Sequence, residues 1–156
     1  MKGFIFGIVI GGFLGLAGGI YLLPILTAEE GLSAIEISKQ LKVIGTKKRE
    51  GTFSKDRLDS DAFHWGEGII TVGEEQVIFD GDMAPGPDYR LYFTPKFVET
   101  EADFLAIKDA SAMVGMVKSY QSFALPISDD INPEDYDSVI IWCEAFGQFI
   151  TSAKLN

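Results

Sequence analysis

One cysteine, Cys143, and one histidine, His64, are the residues of this sequence best suited to chemistry. A thiolate is a nucleophile, a redox centre and a metal ligand, and an imidazole moves protons or binds metals near neutral pH. With a single residue of each type, an intrachain disulfide is excluded, and so is a zinc site built from several Cys and His ligands or a two-histidine blue-copper site. Cys143 ends the apolar run Ser138–Cys143, so a packed, inert thiol competes with a reactive one. An unpaired thiol in an oxidising compartment is open to oxidation and stray disulfides, which makes its presence there unusual. His64 reads either as a hydrogen-bonded core residue or as a second ligand and proton partner for Cys143.

No P-loop, dinucleotide fingerprint, nucleophile elbow or H-E-x-x-H pair is present, so the common nucleotide and hydrolase chemistries lack support. Enzymatic activity is left open, with the balance against it. The acidic stretches Asp56 to Asp61, Asp80 to Asp82 and Ser128 to Asp135 could offer oxygens to calcium, but none has the EF-hand spacing, and they read as solvated loops. The chain carries 23 acidic and 13 basic residues, a net charge of -10, which disfavours binding to nucleic acid.

Position begins with the segment Gly3 to Leu26, in which no charged side chain interrupts an apolar run. At about 1.5 Å per residue it reaches about 36 Å, enough to cross a hydrocarbon layer about 30 Å thick. A cleaved signal peptide has a shorter apolar core, and Leu26-Thr27-Ala28 is a poor cleavage site, so residues 1–27 are expected to stay as a membrane anchor contacting lipid through residues 3–26. Lys2 precedes the run while Glu29 and Glu30 follow it, which places the N-terminus in the cytoplasm and the body in the periplasm or outside the cell. Gly3, Gly7, Gly11, Gly15 and Gly19 recur every fourth residue, a pattern for self-association centred on Gly7, Gly11 and Gly15.

Residues 28–44 form a juxtamembrane spacer or a short amphipathic helix. The remainder, 45–156, reads as short strands between turns. Phe63 to Val72 is expected to be a strand with His64 in phase with Ile70 and Val72, paired through Gly73-Glu74-Glu75 with Gln76 to Phe79. Asp80 to Asp88 is expected to be a loop, Tyr89 to Thr94 a strand, and Val114 to Lys118 with Tyr120 to Leu125 a hairpin ending at Pro126. Asn132-Pro133-Glu134-Asp135 is a helical turn opened by proline. Ser138 to Cys143 and Gly147 to Ala153 close the chain. The fold class is all-β, an antiparallel β-sandwich or barrel preceded by one transmembrane helix.

The body resembles the DM-thirteen domain family, small extracytoplasmic β domains found beside haem-binding DOMON domains. The resemblance is carried by Gly51-Thr52-Phe53, His64 with Gly68, Phe79, Gly86-Pro87-Asp88 leading into Leu91-Tyr92, Gln121-Ser122-Phe123-Ala124-Leu125-Pro126, and Val139-Ile140-Ile141-Trp142-Cys143. It implies a redox or electron-transfer role centred on Cys143, acting as a thiol or through a bound group such as haem, with His64 and Cys143 as its ligands and a redox protein as partner. The alternative is a non-enzymatic adhesion or partner-binding module that uses loops such as Asp80 to Asp88.

Overall fold

A computed structural model describes residues 2–156; the side chain of Tyr21 lies outside it, as does that of Lys2, on which part of the expected orientation rests. The apolar run forms helix α1 (Lys2–Thr27), with Pro24 inside its last turn. It is long and apolar enough to cross a membrane, with a mean hydropathy of 2.1 and its window wholly unburied. The spacer resolves into helix α2 (Ala34–Ile44), opened by a capping box in which Ser33 and Glu36 satisfy each other's backbone N–H. Between the helices, Glu29 N donates to Lys118 O (2.9 Å) and Leu32 N to Ser122 O (2.8 Å), which pins the linker to the body.

Eight strands follow: β1 (Arg49–Phe53), β2 (Gly66–Val72), β3 (Gln76–Met83), β4 (Tyr89–Thr94), β5 (Ala112–Val117), β6 (Phe123–Pro126), β7 (Ser138–Cys143) and β8 (Gln148–Lys154). They form two four-stranded sheets, in the orders β1-β2-β3-β6 and β5-β4-β7-β8, with every pairing antiparallel. The sheets face each other as a sandwich and do not close into a barrel. With helices of 26, 11 and 5 residues, the last being α3 (Glu101–Leu105), the chain is not strictly all-β.

The inner faces meet in a core that includes Phe53, Ile70, Phe79, Leu91, Phe93, Ile141 and Ile150. A second core lies on the outer face of the β4-β7-β8 sheet, where Phe104 of α3 packs on Tyr92, Ile140 and Trp142. β7 is covered on both faces, and all six of its residues are buried, which is why its sequence is apolar without alternation. One edge of the sandwich is stitched by Glu50 and Asn156, whose backbone groups exchange hydrogen bonds of 3.2 and 2.9 Å.

Three expectations need correction. The strand read as Phe63 to Val72 begins at Gly66, because Asp61 Oδ1 accepts from the backbone N–H of Phe63 and of His64 and folds that segment into a turn. β3 runs on through Asp80–Met83, in the stretch read as a loop, because Gly81 pairs with Gly68 across the sheet. Gly68 has φ 147°, and a Cβ there would sit 2.3 Å from Asp80 O. β5 and β6 are not a hairpin, since β5 pairs with β4 and β6 with β3 in the opposite sheet.

Candidate functional site

Cys143 is the last residue of β7, opposite Tyr89 of β4 and Gln148 of β8. The β7–β8 turn bends back through Gly147, whose φ of 62° suits glycine. The backbone N–H groups of Phe146 and Ala145 in that turn, and of Asp88 in the loop before β4, act to lower the thiol pKa. The thiol is 2% exposed and unpaired. Burial pushes its pKa up, outweighing the three N–H groups that would favour a thiolate. At neutral pH the sulfur is therefore a protonated thiol within a cradle suited to its anion.

His64, in the turn before β2, is held by Asp61, whose carboxylate oxygens lie 3.1 and 3.0 Å from Nδ1. The hydrogen bond from His64 and that from Phe63 N–H hold the Asp61 pKa below its ordinary value. A carboxylate accepts, so Nδ1 is the nitrogen that donates to Asp61.

Far apart in the chain, His64 and Cys143 line the same cavity of about 480 Å³, a size typical of small-molecule sites. Gln148 and Tyr89 add further polar groups, and Phe63, Pro85, Pro87 and Phe146 supply apolar walls. The Gly86-Pro87-Asp88 loop packs on the Tyr89 ring so closely that a Cβ on Gly86 would sit 2.4 Å from it, and Tyr120 Oη donates to Gly86 O at 2.6 Å. Among the described residues, no hydrogen bond joins His64 to Cys143, and no group of three or more His, Cys, Asp or Glu side chains could hold a metal.

On the outer face of the same sheet lies a group of residues that sequence reasoning missed. Tyr92 Oη donates to Glu144 Oε1, and Lys108 Nζ donates to Glu144 Oε2 at 2.8 Å. The Lys108 ammonium also sits 5.5 Å from the centre of the Trp142 ring and 5.7 Å from that of Tyr92. Burial and the neighbouring carboxylate push the Tyr92 phenol well above its usual range. Burial would raise the Glu144 pKa, but Lys108 and Tyr92 outweigh it and hold it low. The buried Trp142 N–H faces the same carboxylate without reaching hydrogen-bond geometry. No local sequence signal marks this cluster, because its members come from β4, the β7–β8 turn and the 3-10 turn Lys108–Ala110.

No curated protein and no solved structure matches the chain. A family model does: the one described as "Electron transfer DM13" matches residues 57–155, which takes in β2 to β8, Cys143 and His64 and leaves β1 outside. The chain belongs to the electron transfer DM13 family.

Proposed function

We propose that this chain is a membrane-anchored electron-transfer module whose working site is the cavity shared by Cys143 and His64. The observation that carries the reading is the convergence of these two residues, both in the matched region, on one mostly apolar cavity. The three N–H groups stabilise negative charge at Sγ, and His64, oriented by Asp61, is the neighbouring base able to take the thiol proton. Without a second cysteine, Cys143 works through a bound group or by attacking a partner's disulfide, one partner sulfur leaving as thiolate while the other bonds to Sγ. Haem, which the family resemblance raises, fits the walls in chemical kind, and His64 would hold its iron through Nε2 with the carboxylate of Asp61 behind the ring. A bound haem supplies one-electron exchange at iron.

α1 is the anchor in this reading, with its N-terminus in the cytoplasm and the body outside. Its apolar side chains stand exposed, Phe13 at 77% and Leu26 at 79%, and a lipid layer covers such a surface without cost. A Cβ at Gly7, Gly11 or Gly15 would meet nothing within 4 Å, which leaves that stripe open to a second helix.

The test is an absorption spectrum of the purified full chain, together with thiol titration before and after unfolding. A haem band, or native modification of Cys143 that Cys143→Ser abolishes, supports the reading. A colourless protein whose thiol reacts only on unfolding sinks it. The second reading, a partner-binding module using the loop before β4, is favoured by the 2% exposure of Cys143, which suits packing.

A further inference from the structure

The position of α1 says where the cavity opens. The hydrogen bonds from Glu29 and Leu32, with an ion pair of 3.1 Å between Glu29 and Lys118, fix the anchor's exit beside the β5–β6 connection. Pro24 and Thr27 line a small cavity together with Gly86 and Pro87, the loop that also walls the Cys143 cavity. Earlier in α1, Ala17 and Ile20 form part of that wall themselves.

We infer that the cavity mouth rests on the bilayer, and that the ligand of this site is a lipid-dissolved, largely apolar small molecule that enters from the membrane. The inference rests on the cavity being a ligand site, as proposed above. Twenty-six helical residues reach about 39 Å, about 9 Å more than the hydrocarbon layer. With the N-terminal end at the far interface, that surplus lies on the body's side. Ile20, about 10 Å along the axis from Thr27, then sits at the boundary between hydrocarbon and headgroups.

The rim suits that depth. Phe63 and Phe146 are 67% and 55% exposed there, and aromatic rings of this kind favour the interface. Among the described residues no Asp, Glu, Lys or Arg lines the cavity, on a chain with 23 acidic and 13 basic residues. The contrast lies at the other end of β2 and β3, where a cavity is lined by Lys47, Arg49, Glu74, Glu75 and Asp129. The two cavities thus differ in kind, the first without a charged side chain and the second rich in them.

The experiment uses the full chain in phosphatidylcholine vesicles. Phe63→Cys and Ser128→Cys, each made with Cys143→Ser, carry a bimane fluorophore, and lipids spin-labelled near the headgroup act as quencher. Quenching at position 63 is expected to exceed that at 128 by at least about fivefold, and equal quenching overturns the inference. In the second arm native Cys143 meets phenylmaleimide dissolved in the lipid or a sulfonated maleimide confined to water, with Ser128→Cys correcting for reagent reactivity. The lipid-borne reagent is expected to react about tenfold faster, and equal or reversed rates overturn the membrane route. Strong quenching with no reaction from either reagent upholds the bilayer contact while sinking the ligand-site reading on which the entry route depends.

Discussion

Replacing Cys143 by serine and by alanine should separate a cradle for charge from ordinary packing. In an apolar core, serine in place of cysteine is the worse choice, since a buried hydroxyl without partners costs about 1–3 kcal/mol. Here the N–H groups of Phe146, Asp88 and Ala145 favour negative charge at the sulfur position. A serine Oγ would accept from them, each bond returning about 0.5–1.5 kcal/mol, so Cys143→Ser should cost about 1 kcal/mol. Alanine removes the acceptor, leaving amides unsatisfied at about 1–3 kcal/mol and a void worth about 1–2 more. Cys143→Ala should therefore cost about 2–5 kcal/mol.

Urea unfolding of the full chain in detergent, followed by tryptophan fluorescence at pH 7, reads the difference, because a gap of about 2 kcal/mol moves the midpoint by about 1 M. A serine variant no more stable than the alanine one would refute the cradle. The comparison also has a pH signature. Burial raises the thiol pKa in the folded state above its ordinary value of 9.0, so its contribution is complete below that pH and is lost as pH rises through the folded pKa. The gap between the parent chain and Cys143→Ala should hold at pH 7 and narrow above about pH 9.

The remaining predictions concern the fold and the anchor. Lys108→Met should destabilise the body by about 1–2 kcal/mol at pH 7 in the same urea assay. The Glu144 pKa is held low, so that contribution is present above the ordinary glutamate value and lost as pH falls through the folded one; the variant and parent should converge as the pH drops below the ordinary glutamate range. Gly68→Ala should cost at least about 2 kcal/mol or block folding, read as loss of soluble, protease-resistant body, because its φ of 147° and the 2.3 Å approach to Asp80 O exclude a methyl group. Gly11→Ile with Gly15→Ile should lower the dimer signal of α1 in a membrane two-hybrid assay, and an unchanged signal would free the glycine stripe from that role.

Where one strand's own residues decide its state, the sequence was readable. β4 and β7 fall at the residues expected, the first from alternation and the second from an unbroken apolar run. Asp80-Gly81-Asp82 carries every local mark of a turn, yet the partner strand holds it extended through Gly68 and Gly81. The phase of His64 with Ile70 and Val72 suggested a strand reaching back to Phe63, but Asp61 captures the two backbone N–H groups and turns the chain. The Ser33-x-x-Glu36 capping box was legible and would have decided between helix and spacer for residues 28–44. Cys143 and His64 could be named individually, whereas their shared cavity depends on the β7–β8 turn and the Gly86-Pro87-Asp88 loop arriving together, which no local pattern encodes.

The stitch between Glu50 and Asn156 bears on how the protein is made. β1 cannot gain its last partner until about a hundred further residues have been synthesised, about 5–20 s at ordinary elongation rates. Throughout that interval the strand offers an unpaired edge to any neighbouring chain, and the sandwich, dominated by distant pairings, closes slowly even once complete. A growing copy is then most prone to aggregate through β1.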